Sequence, residues 1–428
     1  MKVAIVHDWL LGMRGGERCL EVIGSIFPQA DIYTLFYDAA GISESINRHR
    51  IVPSSLNFLP GVSGYYRHLL PFYDLAVRDL SRRIRRGGAA PDEKSFGGYD
   101  LVISVSHCVA KNIRVPDSIP HLCYCLTPMR YLWDQYDAYF EGRSFEPAIR
   151  RVVNRLRQVD VERSGGVTRY VAISRFIRDR ILRCYNKDSL VVYPPVKTDW
   201  IESCRAAVTK PGSGFLCVSA LVPYKNVHLI VEAFNRLQLP LTVIGSGPEA
   251  ARLKNMAGPG IRFIDRVSDT ELAQHYSESI GMVFAAVEDF GMVPVEMQAA
   301  GRPVIALGVG GALETVVGSG PNPTGIFFPD AASGSIISAI DDFMGRQSEF
   351  SVDNCIAQGR SFSSVRFVDG FIDALDGLIS NEALLTLRQG SRSVRGKESA
   401  AAVINGAELS QFGSRRLVAS IGGGVSDA

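Results

Sequence analysis

The 428-residue sequence has no apolar run that reaches the roughly 18–20 residues needed to cross a bilayer. Any membrane contact is therefore expected to be peripheral. The start, Met1 to Asp8, turns polar too soon for a signal peptide, so a cytoplasmic protein is expected. No Cys-x-x-Cys pair occurs among the 8 cysteines, which indicates neither a structural zinc site nor a disulfide scaffold. Only Cys123 and Cys125 are close, and that spacing alternates faces on a strand. The net charge is only +2, which does not suggest bulk nucleic-acid binding. The glycine fingerprint Gly-x-Gly-x-x-Gly is missing after the first strand, which argues against a dinucleotide-dependent dehydrogenase. No Asp-x-Asp pair signals a catalytic divalent metal.

What is present is a long series of short apolar, β-branched runs separated by helical patterns. Strands are expected near 2–6, 31–35, 100–105, 121–125, 169–173 and 190–193. A second series is expected near 215–219, 241–245, 261–264, 282–287, 303–307 and 325–328. Such alternation predicts parallel sheets with helical crossovers, and two series of six predict two doubly wound α/β domains. The length agrees, since one core rarely supports so many residues. The boundary is expected between Pro195 and Gly214, giving domains 1–200 and 201–365. A helix over 366–380 follows, with Phe367, Phe371, Ile372, Leu375 and Leu378 on one side. The remainder, 381–428, is rich in Ser, Gly, Ala and Arg and is expected to be disordered.

The most informative stretch runs from Val287 to Glu296. Two glutamates, Glu288 and Glu296, flank Phe290-Gly291-Met292-Val293-Pro294, and Ala299-Ala300-Gly301-Arg302-Pro303-Val304 follows. Glu288 follows a buried strand, while Glu296 falls in a short helix opened by Pro294 and closed by Gly301. Strand end and helix start form one edge of the crevice where open α/β sheets bind ligands. Carboxylates there accept hydrogen bonds from sugar and ribose hydroxyls, and free N–H groups at 291–293 face an anion. The alternative is a solvated helix-start glutamate and a surface one.

This block resembles the E-x7-E signature of retaining nucleotide-sugar glycosyltransferases of family 4. These have the GT-B fold, two Rossmann-like domains facing each other across a cleft. His7-Asp8-Trp9-Leu10 with Gly15-Gly16-Glu17, and Cys123 to Asp134, resemble a narrower subgroup, the mannosyltransferases of bacterial O-antigen and capsule assembly. The resemblance covers residues 1 to about 380. In that family a Gly-Gly loop lies near the donor diphosphate, which Gly15 and Gly16 match in the segment read as the loop after the first strand; a plain tight turn is the alternative. His107, after the strand Leu101 to Val105, matches a histidine facing the donor sugar. Lys225 matches the lysine that neutralises the diphosphate. Many members carry an arginine five residues earlier, where this chain has Ala220, so either Lys225 works with helix-terminal amides alone or Arg266 or another base compensates. Gly247, in the turn Gly245-Ser246-Gly247, commonly borders the nucleotide, although a structural glycine explains it equally well. Gly308 to Gly311 continue the same crevice.

For the acceptor, Arg130, Tyr131 and Trp133 offer a cation and aromatic faces suited to phosphate and sugar, with a packed aromatic corner as the equal alternative. Ser174 reads as a helix N-cap. Arg67, Arg78, Arg82, Arg83, Arg85 and Arg86 form a basic cluster that suits either an anionic membrane face or plain solvent. The resemblance implies transfer of a hexose, with mannose from GDP-mannose favoured, to a glycan or lipid-linked glycan acceptor with retention at the anomeric carbon. It implies no cofactor or metal, the nucleoside diphosphate sugar being the substrate. Two other classes fit the same fold: a sugar-nucleotide 2-epimerase, and a partner that binds nucleotide sugar without turnover.

Overall fold

The computed structural model describes residues 1–87, 96–130, 132–133, 146–198, 200–201, 212 and 214–391. The chain divides into two compact units. One comprises Met1–Tyr193 with the described residues from Phe367 onward, and the other comprises Pro194–Arg366.

The first unit holds a parallel sheet of seven strands: β1 (Val3–Leu10), β2 (Asp31–Tyr37), β3 (Ile51–Pro53), β4 (Leu101–Ser106), β5 (His121–Cys125), β6 (Arg169–Ala172) and β7 (Ser189–Val191). Their order is β3-β2-β1-β4-β5-β6-β7. The chain order reverses between β1 and β4, the switch point at which doubly wound sheets place their ligands. The sequence reading missed β3, which is only three residues long and ends in a proline. Proline cannot donate to a ladder, and β3 sits at the sheet edge, where that is tolerated. β1 is longer than expected. His7, Asp8, Trp9 and Leu10 belong to the strand and are all buried, so the loop reading of that segment is corrected. A histidine and an aspartate look like the end of a strand, but on the central strand of a parallel sheet both faces are covered.

The second unit holds six parallel strands: β8 (Phe215–Val218), β9 (Leu241–Ile244), β10 (Ile261–Ile264), β11 (Gly281–Phe284), β12 (Val304–Leu307) and β13 (Gly325–Phe328). Their order is β10-β9-β8-β11-β12-β13, with the reversal between β8 and β11. Apolar side chains from both faces form its core, among them Phe215, Val243, Ile305 and Phe343 on one side and Leu216, Tyr276, Met282 and Met297 on the other.

The helix Ser364–Asp373 carries the chain back to the first unit. Phe367 and Phe371 pack against Tyr124 of β5, with ring centroids 5.4 and 6.0 Å away. Arg169 of β6 donates a 2.9 Å hydrogen bond to the Ala374 carbonyl. The helix is shorter than the expected 366–380, because turns follow it from 374. The expectation of disorder from 381 is corrected as well: residues 381–391 are helical, with Leu384 buried. Residues 392–428 lie outside the described ones. Among the described residues no helix is long and apolar enough to cross a membrane.

Candidate active site

In the second unit the loops after β8 and β11 flank the switch point, and they carry Lys225 and Glu288. β8 runs into a short turn, Pro223–Lys225, which buries Lys225 to 6% exposure. Asn226 follows with φ +56 and donates a 3.1 Å hydrogen bond to the Ala285 carbonyl just past β11. That tie brings the two loops together, and the Lys225 ammonium forms an ion pair with the Glu288 carboxylate. The buried Ala220 supplies no second cation. Arg266 lies exposed past β10, without a hydrogen bond or ion pair among the described residues, and the structure does not join it to Lys225.

Glu288 sits in a loop four residues beyond β11, which ends at Phe284 rather than Val287. Gly310 and Gly311 clamp this loop. A side chain on Gly310, at φ +72, would lie 2.6 Å from the Glu288 carbonyl, and one on Gly311 would lie 2.3 Å from Phe290. The Gly311 N–H donates to the Glu288 carbonyl at 2.8 Å. Gly291, at φ +91, caps the helix Met292–Ala299, which starts two residues before Pro294. No protein acceptor takes the N–H groups of Gly291, Met292 or Val293 among the described residues, so they remain available to an anion. Phe290 is a correction. It is 3% exposed and packs edge-on against Phe362 at 5.3 Å, so its ring supports the loop rather than meeting a donor.

Glu296 accepts a 2.8 Å hydrogen bond from the buried Tyr276 hydroxyl. Sequence reasoning did not find Tyr276, which lies in the helix Asp269–Glu278 amid ordinary core residues. Gly245 and Gly247 are required by close backbone approach. Side chains there would lie 1.8 Å from the Ser219 carbonyl and 2.4 Å from the Leu221 carbonyl. They pack the turn after β9 onto the loop that leads to Lys225.

In the first unit, Asp8 on β1 is fully buried beside the loop that follows β4. Its carboxylate accepts the N–H groups of His107 at 2.7 Å, Cys108 at 2.9 Å, Val109 at 2.6 Å and Ala110 at 2.7 Å. His107 is about a quarter exposed, with Trp9 edge-on to its ring at 4.4 Å. Burial lowers its pKa, and His7 and Arg14 add to this against Asp8 and Glu17, so the ring is neutral at pH 7. His7 donates through Nδ1 to the Val105 carbonyl at 3.0 Å, and its Nε2 lies 3.5 Å from Glu17. Burial opposes ionisation of Glu17, but His7 and the more distant His107 outweigh it and hold its pKa below the usual value.

Gly15 and Gly16 open the helix Gly15–Ile26 rather than preceding it. A side chain on Gly16 would lie 2.7 Å from Leu126 and 3.5 Å from the His7 ring. Ser174 caps its helix as expected, accepting from the Ile177 N–H at 3.0 Å. Of the acceptor candidates, Trp133 donates to Asp160 at 3.1 Å and Arg130 is half-buried, while Tyr131 lies outside the described residues. Asp160 also pairs with the buried Lys111, so Trp133 belongs to a packed polar network. That favours the aromatic-corner reading of this residue.

The two parallel sheets, each reversing order beside its first strand, have the GT-B fold seen in solved structures. Residues 207–361 match the family model for glycosyl transferases group 1. The Anabaena protein HepE, solved in complex with UDP, superposes with a TM-score of 0.66 at 16% identity, over 88% of this chain and 100% of that one. Among curated relatives, an uncharacterized glycosyltransferase of Methanocaldococcus jannaschii is 28% identical over 153 residues, 34% of this chain and 42% of that protein. A GDP-mannose-dependent alpha-(1-6)-phosphatidylinositol monomannoside mannosyltransferase of Mycobacterium tuberculosis is 26% identical over 233 residues, 47% of this chain and 57% of that one. The chain thus spans about half the length of the curated relatives it matches, 42% and 57% for these two.

Proposed function

We propose that this chain is a retaining glycosyltransferase of family 4 that moves a hexose from a nucleoside diphosphate sugar to a growing glycan or lipid-linked glycan. The observation that carries the reading is the Lys225–Glu288 ion pair at the second unit's switch point, next to the unfilled amides of Gly291, Met292 and Val293. A cation and a helix N-terminus together suit a diphosphate leaving group, which accumulates negative charge as the glycosidic bond breaks. Lys225 takes the diphosphate, Glu288 and the amides take the sugar, and Glu296, steadied by Tyr276, takes the ribose. For His107, the assignment of a sugar hydroxyl rests on the family resemblance alone. In this assignment attack proceeds on the front face, with the leaving phosphate receiving the acceptor proton.

GDP-mannose is the donor to try first, on the subgroup resemblance and on the name of the mycobacterial relative. UDP-glucose is the competitor, because HepE is also known in complex with UDP-glucose. The test is to incubate the protein with each nucleotide sugar and follow products by NMR. Release of nucleoside diphosphate and sugar supports a transferase acting slowly on water. A 2-epimeric nucleotide sugar would instead identify an epimerase, and binding without any product would identify a non-catalytic partner.

Peripheral contact of a cytoplasmic protein with an anionic membrane is a second part of the reading. The helix Tyr73–Arg86 buries Tyr73, Val77, Leu80 and Ile84 and exposes Leu75, Arg78, Arg82, Arg85 and Arg86. Arg114 lies near Arg163 and Arg78, which add to desolvation in lowering its pKa against Asp74 and Glu162. Such a face favours anionic lipid, so co-sedimentation with phosphatidylglycerol vesicles that weakens with salt is expected.

A further inference from the structure

We propose that Asp8 is the positioning residue of His107, holding the ring proton on Nδ1 so that Nε2 is presented only as a hydrogen-bond acceptor. The inference rests on the reading of His107 as a sugar contact, and it adds which way that contact points. The ligand group that meets Nε2 must be a donor, a hydroxyl.

Four N–H groups converge on Asp8. Oδ2 takes those of His107 and Cys108, and Oδ1 takes those of Val109 and Ala110, all between 2.6 and 2.9 Å. A protonated carboxyl would set an O–H against one of these donors. The site therefore holds Asp8 as an ionised, acceptor-only group. Oδ2 also lies 3.2 Å from Nδ1 of His107. A bare Nδ1 there would set its lone pair against a carboxylate oxygen, so Nδ1 carries the hydrogen. A neutral imidazole has one N–H, and Nε2 is left as the acceptor.

The surroundings hold this arrangement. Trp9, edge-on at 4.4 Å and 88°, limits rotation of the ring. The charged and titratable groups facing His107 are Asp8 and His7 on β1, Arg14 in the loop after it, and Glu17 on the helix Gly15–Ile26. His7 does not compete for Asp8, because its Nδ1 is committed to the Val105 carbonyl and its Nε2 faces Glu17. The ring is partly exposed, so a ligand can reach it. A neutral histidine without such a partner is not held to the Nδ1–H tautomer. Asp8 makes the choice before any ligand arrives.

The experiment is a long-range proton–nitrogen NMR correlation on the full chain with labelled histidine at pH 7, with His107 assigned by its loss in His107→Gln. A pyrrole-type Nδ1 and a pyridine-type Nε2 are expected. In Asp8→Asn the side-chain amide turns toward Nδ1 and the proton moves to Nε2. Turnover of the nucleotide sugar then falls about 10- to 100-fold, as losses of orienting partners typically do, with donor KM nearly unchanged. Removing the carboxylate also moves the acid limb of the pH profile to lower pH. A wild-type His107 carrying its proton on Nε2 overturns the proposal, even if Asp8→Asn fails to fold. So does an Asp8→Asn protein that keeps both the wild-type tautomer and wild-type turnover. The NMR result stands whether or not any nucleotide sugar is turned over, which separates this proposal from the functional reading beneath it.

Discussion

Lys225 and Glu288, from the loops after two neighbouring strands, neutralise each other at the switch point of the second sheet. The pair keeps a nearly buried ammonium satisfied. On the proposed reading, a donor diphosphate competes with Glu288 for Lys225. Lys225→Ala is expected to weaken nucleoside diphosphate binding roughly 10- to 100-fold, the worth of one charge-assisted hydrogen bond. Glu288→Gln, which frees Lys225, is expected to bind the bare diphosphate as well as wild type or better, yet to lose turnover. Calorimetry and a product assay on the two variants check both halves, and weakened diphosphate binding in Glu288→Gln would contradict the competition.

Glu296 takes its orientation from Tyr276. Glu296→Ala should weaken donor binding about tenfold, while Tyr276→Phe, which removes one orienting hydrogen bond but leaves the carboxylate, should weaken it only a few-fold. A 2′,3′-dideoxy nucleotide should bind both variants and wild type alike. If the variants still discriminate against it as wild type does, Glu296 does not hold the ribose.

Gly310 holds the Glu288 loop from behind. Gly310→Ala adds a methyl 2.6 Å from the Glu288 carbonyl at a φ of +72. The backbone strain is about 1–2 kcal/mol, visible as a modest fall in Tm. The displaced loop should lower turnover at least tenfold. A variant with lowered Tm but full turnover would show that the loop position does not matter to the reaction.

Acid should destabilise the first unit in a defined window. His121 on β5 is fully buried, bonded to Ser104 at 2.8 Å, and burial lowers its pKa to about 4. Between about 4 and 6.5 the unfolded chain holds a proton that the folded one excludes, so stability rises with pH across that range and is lost as pH falls through it. The loss amounts to about 3 kcal/mol. Denaturant unfolding of wild type and His121→Asn from pH 7 to pH 4 should show the slope flattened in the variant.

Much of this was legible in the sequence, for physical reasons. Apolar runs of strand length located all but one strand, because central strands of a parallel sheet are buried on both faces. The exception, β3, was too short and too close to a proline to register. Glu288, Glu296 and Lys225 were readable as chemistry at strand ends. Their partners were not: the Lys225–Glu288 and Glu296–Tyr276 contacts depend on which strands become neighbours. Asp8 was read as a loop residue, since its four N–H donors come from residues 107–110. Phe290 was misread because an aromatic beside a glycine turn looks the same in sequence whether it faces ligand or core. The helix over 381–391 was hidden by a composition that only becomes strongly biased beyond it.

The central claim is that the second unit binds a nucleoside diphosphate sugar through Lys225 and Glu296. Titrating the full chain by calorimetry with GDP-mannose, UDP-glucose and related donors, alongside Lys225→Ala and Glu296→Ala, tests it most directly. Selective binding of one donor by the wild type and marked weakening in both variants are the expected result. Equal donor affinity in wild type and both variants would contradict it.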